Sequence, residues 1–237
     1  MSQGSMGLAA NLELVRENIV QAARAAGREP EDITLVAVTK GVAPEAVATV
    51  MGLGVSDLGE NRVQEARKKI PLLSSLCPGR LRFHLIGHLQ RNKVKYALDF
   101  HFIHSVDSLE LAELISRVWV DNGRVARLLV QVNMTGEPAK SGFSPALVKE
   151  ALVRMAELPG LRLEGLMTIG RQGAGLEETR GYFRGLRRLR DACQGTGMEL
   201  EHLSMGMSDD YRIAVEEGAT ILRIGRAIFG DRLGRQG

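Results

Sequence analysis

The sequence predicts an α/β protein: a single (β/α)8 TIM-type barrel with an extra helix at its N-terminus. Three observations predict it. Eight short apolar runs alternate with helical stretches along the chain. Several runs, such as ITLVAV at 33–38 and RLLVQV at 127–132, are apolar on both faces, as strands of a helix-covered parallel sheet are. The chain has 237 residues and 44% hydrophobic content, enough for one barrel core. Strict alternation favours a closed barrel over an open doubly wound sheet, the next-best architecture.

The elements follow in order. Leu8, Leu12, Val15, Ile19 and Ala22 recur at three- and four-residue spacing, with Arg16, Glu17 and Arg24 between them, which marks an amphipathic lead-in helix. Residues 1–7 lack the charged-then-apolar pattern of a signal peptide and read as a frayed start. Strands are expected at Ile33–Lys40, Asp57–Asn61, Arg82–Gly87, Phe102–Asp107, Ala126–Asn133, Leu161–Gly170, Glu199–Gly206 and Ile221–Gly230. Pro44 and Pro145 sit where a first helical turn tolerates proline. Asp107 and Glu110 have capping-box spacing. No low-complexity linker divides the chain, so one domain over 1–237 is expected.

Composition narrows the function classes. Lys and Arg total 31 against 28 Asp and Glu, a net charge of +3, too small to argue for nucleic acid. Cys77 and Cys193 make no disulfide framework and suit a reducing compartment. No apolar run reaches the roughly 18–20 residues of a membrane span. A cytoplasmic protein with neither nucleic acid nor membrane as partner is expected.

Barrel sites lie at the C-terminal ends of the strands. Those ends offer Lys40, Glu60, Asn61, His84, His88, His104, Ser105, Asn133, Thr168, Ser204, Arg223 and Gly225. Lys40 shares a face with Val36 and Val38 because side chains alternate along a strand. Desolvation there favours the neutral amine, the form that attacks an aldehyde; a solvated strand-end lysine is the alternative. Arg223 lies between Leu222 and Ile224 and must find a partner when buried. That partner is a carboxylate such as Glu60 or a ligand. The loops after the seventh and eighth runs, SMGMS at 204–208 and Gly225-Arg226, stand where such barrels often bind phosphate. His84 and His88 have no third metal ligand nearby, so no metal is expected. Arg180, Arg184, Arg187, Arg188 and Arg190 form a basic helix, read as a solvated face.

These residues sit in segments that resemble the YggS/PROSC family of pyridoxal phosphate homeostasis proteins. They are LVAVTKG (35–41), LGENRVQEA (58–66), FHLIGHLQRNK (83–93), IHSVDS (103–108), VNMTGEPAKSGF (132–143), GLMTIG (165–170) and LSMGMSDDYRIAVEEGATILRIGRAIFG (203–230). The resemblance implies a barrel like the N-terminal domain of alanine racemase, fold type III of the pyridoxal-phosphate proteins without the C-terminal β domain. It implies pyridoxal 5′-phosphate (PLP) as cofactor, in a Schiff base with Lys40. It implies that Asn61 helps hold the ring, that Arg223 faces the pyridine nitrogen and that His84 lies close to the cofactor. Ser204 and the amides of Gly225 and Arg226 would hold the phosphate. Many relatives carry a small hydroxyl residue where this chain has Arg226, so a hydroxyl contact is lost and the amide is expected to serve alone.

A guanidinium facing the ring nitrogen donates only and weakens the electron sink. Racemisation also needs a second acid on the far face, and of Tyr96, Tyr182 and Tyr211 only Tyr211, at a helix start, is a candidate. The expected function is therefore holding PLP for intracellular homeostasis with little or no turnover. A low-activity PLP-dependent racemase or lyase is the alternative. PLP-dependent apoenzymes are the implied recipients, and a monomer is expected.

Overall fold

A computed structural model describes residues 3–79, 81–194 and 199–230. Eight strands close into one parallel barrel in sequence order. They are β1 Thr34–Val38, β2 Asp57–Glu60, β3 Arg82–Leu85, β4 Phe102–Val106, β5 Ala126–Gln131, β6 Leu161–Met167, β7 His202–Ser204 and β8 Ile221–Ile224. β8 returns to β1 with Val36 opposite Arg223, which closes the ring.

Helices follow the strands: α2 Pro44–Gly52, α3 Val63–Leu76, α4 Leu109–Asp121, α5 Val148–Ala156, α6 Leu176–Cys193, α7 Tyr211–Glu216 and α8 Arg226–Phe229. They are preceded by α1 Gln3–Ala25. Short 3-10 turns stand before β1 and α5, and one at Arg91–Tyr96 takes the place of a helix between β3 and β4. No helix among the described residues is long and apolar enough to cross a membrane.

Strand alternation divides the core. Val36, Phe102, Leu129, Met167 and Ile221 point inward and form a small apolar cluster inside the barrel. Their neighbours Ala37, Ile103, Leu128, Leu166 and Leu222 point outward and pack under the helices in a much larger cluster. Each fully buried side chain of this size contributes about 1.5–3 kcal/mol. That explains why runs such as RLLVQV are apolar on both faces.

The elements differ from expectation at their ends. The expected strands overran because polar loop residues continue the apolar runs. The eighth is the clearest case: Gly225 breaks it, and 226–229 turn into helix. Residues 3–7, expected to fray, continue α1, while 1–2 lie outside the described residues. The capping box at Asp107 and Glu110 is corrected: Ser108 is the N-cap of α4, accepting from the Leu111 amide at 3.3 Å. Asp107 instead meets His88 Nδ1 at 3.0 Å. Pro44 opens α2 as expected.

Candidate functional site

Lys40 follows β1 in a turn and is half-buried. The backbone on either side of it is tied to α3. Lys69 Nζ donates to the Thr39 carbonyl at 2.5 Å and to Glu60 Oε1 at 2.9 Å. Thr39 Oγ1 donates to the same Glu60 oxygen at 2.7 Å. The Gly41 amide donates to Glu65 Oε1 at 2.5 Å, and Lys69 also reaches that oxygen. Lys40 is thus held between two anchored neighbours. Glu60 belongs to this cluster on the outer face of β2, which corrects its expected pairing with Arg223. Burial raises the Glu60 pKa more than Thr39 and Lys69 lower it.

Arg223 lies inside the barrel, 4% exposed, on the face that Val36 shares. Its Nη1 donates to Ser204 Oγ at 2.6 Å and its Nη2 to the Thr168 carbonyl at 2.9 Å. Burial draws its pKa down to about 10, against the pull of Asp210, so the guanidinium is charged at neutral pH. Among the described residues no carboxylate touches it directly; its partners are neutral oxygens. A buried cation held this way leaves N–H groups of its five-donor fork to face a ligand at the strand ends.

The loops after β7 and β8 meet each other. Gly206 has φ +91°, and a Cβ there would lie 2.6 Å from Ala214 Cβ, so only glycine makes this turn. Ser208 Oγ accepts from the Ala227 amide at 3.1 Å, and Asp210 Oδ1 accepts from the Met207 amide at 2.6 Å. Gly225 packs against Val38, where a Cβ would sit 3.3 Å from the valine side chain. Gly225 and Arg226 open the first turn of α8, where amides lack partners within a helix. The Arg226 guanidinium pairs with Asp209.

Asn61 comes directly after β2, half-buried. Its backbone presses on Gly87: a Cβ at Gly87 would stand 2.4 Å from the Asn61 carbonyl oxygen. Glycine at 87 therefore fixes the ends of β2 and β3 side by side at the barrel mouth.

Two further site residues are tied into the barrel interior. The Ser204 hydroxyl is buried between Arg223 and His104 Nδ1, the latter at 2.9 Å. His84 uses both ring nitrogens inside the barrel, Nδ1 against His104 Nε2 and Nε2 against Asp57 Oδ1, each at 2.9 Å. It meets Arg223 through His104 and Ser204. The sequence reading overlooked Asp57, Lys69 and the role of His104. Asp57 and Lys69 belong to a strand start and a helix face, where polar residues are ordinarily solvated.

The tyrosines are engaged elsewhere. Tyr211 OH accepts from Asn18 of α1 at 3.0 Å, Tyr182 OH donates to Glu178, and Tyr96 lies under Arg67. The basic face of α6 is neutralised by α7: Arg180, Arg184 and Arg187 all reach Glu217, and Arg180 also reaches Glu216. Lys140, in the β5–α5 loop, pairs with Glu137 and donates to the Gly170 carbonyl at 3.2 Å.

A parallel barrel with a lysine closing β1 and an arginine inside β8 defines a class. Residues 10–233 match the family described as "Alanine racemase, N-terminal domain". An alanine racemase of Clostridium difficile, 20% identical, shares the fold with a TM-score of 0.73; the match covers 97% of this chain and 57% of that one. Within that class the relatives are more specific. The "Pyridoxal phosphate homeostasis protein" of Aquifex aeolicus is 42% identical over 96% of this chain and 99% of its own length. PipY of Synechococcus elongatus, solved with PLP bound, is 35% identical with a TM-score of 0.79, covering 90% of this chain and all of that one. The chain belongs to the family of pyridoxal phosphate homeostasis proteins.

Proposed function

We propose that this chain binds PLP, tethered through the Lys40 amine, and serves cofactor homeostasis with little or no turnover. The observation that carries the reading is the pairing of Lys40, held at the end of β1, with Arg223, held inside β8, in a chain 35% identical to a relative solved with PLP.

The donor set fits the group. An amine, a buried cation and a glycine-built turn converge at one end of the barrel, matching an aldehyde, a ring nitrogen and a phosphate. When bound, the cofactor supplies an aldehyde that a neutral primary amine captures and a ring that draws electrons. Lys40 tethers. Arg223 donates a hydrogen bond to the ring nitrogen and, being always protonated, disfavours a proton there. Asn61 lines the ring side of the mouth. The amides of Gly225 and Arg226 receive the phosphate.

Low turnover follows from two features of the chain. Arg223 weakens the electron sink, and all three tyrosines are committed away from the mouth. We place the protein in the cytoplasm as a monomer that passes PLP to apoenzymes.

Titration of the purified chain with PLP tests the binding. A visible absorption band should grow to one equivalent, and Lys40→Ala should abolish it. Wild-type protein with no band at saturating PLP defeats the proposal. Lys40-dependent loss of an α-deuteron from amino acids at useful rates would replace the homeostatic reading with a racemase or lyase.

A further inference from the structure

A line of buried polar side chains crosses the barrel interior, and the cofactor reading does not use it. It begins at the floor, at the N-terminal ends of the strands. Arg82 Nε and Nη2 grip Asp57 Oδ1 and Oδ2 at 2.7 and 2.6 Å. Asp57 meets His84, His84 meets His104, His104 meets Ser204, and Ser204 meets Arg223. The four links from Asp57 to Arg223 are each 2.6–2.9 Å long. Every member from Asp57 to Arg223 is at most 5% exposed. Only the Arg82 end is open, beside a floor cavity of about 410 Å³ that Asp57 and Arg82 help to line.

The hydrogen positions in this line follow from its two ends. Asp57 is a carboxylate: burial alone would raise its pKa, but hydrogen bonds from His84 and Arg82 hold it well below the usual range. It can therefore only accept, so His84 donates through Nε2–H. Burial lowers the pKa of both histidines, His104 the more strongly, so each is neutral with one donor and one acceptor nitrogen. His84 Nδ1 must then accept, and His104 Nε2–H donates to it. His104 Nδ1 must accept in turn, and the Ser204 hydroxyl donates to it. Ser204 has only its lone pairs left for Arg223, which donates. All the donors point toward Asp57. No link can reverse alone without leaving two donors, or two acceptors, face to face.

We propose that Asp57, His84 and His104 are positioning residues for Arg223: the Asp57 carboxylate at the barrel floor orders one hydrogen-bond line that commits the Ser204 proton to His104, turns the Ser204 lone pairs to Arg223 and holds the guanidinium towards the PLP ring nitrogen. The inference rests on the cofactor reading for the ring contact. The ordering of the line does not.

The two parts separate experimentally. Histidine ring ¹⁵N–¹H correlation spectra of the wild-type protein at neutral pH read the tautomers directly. His84 and His104 should both be neutral with the proton on Nε2; a proton on Nδ1 of either, or a charged ring, overturns the ordering. PLP affinity is then compared with that of an analogue carrying C–H in place of the ring nitrogen. Wild type should prefer PLP. His104→Leu and Asp57→Leu should each weaken PLP binding roughly tenfold, the scale of one hydrogen bond to a charged group, and leave the analogue unchanged. Asp57→Asn, which keeps an acceptor for His84, should restore PLP binding to within about twofold. Equal losses for PLP and analogue mean a merely structural role and overturn the proposal. If wild type binds neither compound, the cofactor reading has failed while the tautomer result stands.

Discussion

Lys69 offers the sharpest energetic test of how Lys40 is held. Its side chain is 11% exposed, and its ammonium touches Glu60, Glu65 and the Thr39 carbonyl. Glu60 is 1% exposed in its side chain, and among the described residues its Oε2 has no hydrogen-bond partner. Lys69→Met would keep the packing stem and strand the carboxylate. Breaking a buried pair costs about 3–5 kcal/mol. A ceiling comes from chemistry, because the stranded carboxyl can take a proton. Protonating a carboxyl of reference pKa about 4.3 at pH 7 costs roughly 3.7 kcal/mol, and at pH 5.5 roughly 1.6 kcal/mol. The sign follows: a carboxyl whose folded pKa is raised lowers stability above its unfolded pKa, and that loss fades as pH falls. Urea unfolding followed by circular dichroism should show Lys69→Met less stable than wild type by about 3–4 kcal/mol at pH 7, with the gap narrowing by half at pH 5.5. Adding Glu60→Gln should recover most of it. A loss under about 1 kcal/mol, or one independent of pH, would refute the argument.

Other consequences follow from the same geometry. His84 and His104 are buried and neutral, with pKa values lowered mainly by desolvation. Their unfolded forms protonate below about pH 6.5 while the folded forms do not. Stability is therefore full above that pH and should fall as pH drops towards 5.5, by up to about 1.4 kcal/mol per pH unit for each histidine. Glu60 and Asp210, whose pKa values burial raises, act in the opposite sense nearer pH 5, so the slope should flatten there. Calorimetric melting across pH 5–8 checks both. Gly87→Ala would drive a Cβ into the Asn61 backbone. It should lower stability by about 1–3 kcal/mol and weaken PLP capture, read by thermal melting and absorption titration. Ser108→Ala removes the α4 cap and should cost about 1 kcal/mol with PLP binding unchanged.

The barrel was readable because two-sided apolar runs and helical spacing are both periodic signals. Lys40 and Arg223 stood out for a related reason: a charge that ends or interrupts an apolar run is anomalous by its setting. Strand ends were less readable: Gly87 and Gly225 lie just past the ends of β3 and β8, close against Asn61 and Val38, which are far off in sequence. Ser108 rather than Asp107 caps α4 because His88, from the next strand over, takes the aspartate. The interior line from Asp57 to Arg223 was hidden for the same reason. Its members stand on β2, β3, β4, β7 and β8, and only the closed ring brings them together. The strand-end position and the family resemblance brought out His84, but its partners Asp57 and His104 stand on other strands.

The central claim is that Lys40 tethers PLP at the end of β1. Borohydride reduction of the PLP-loaded protein, followed by peptide mass mapping, tests it most directly. One reduced pyridoxyl group should appear on the peptide that carries Lys40. Label on Lys93 or Lys140, or none at all, would contradict it.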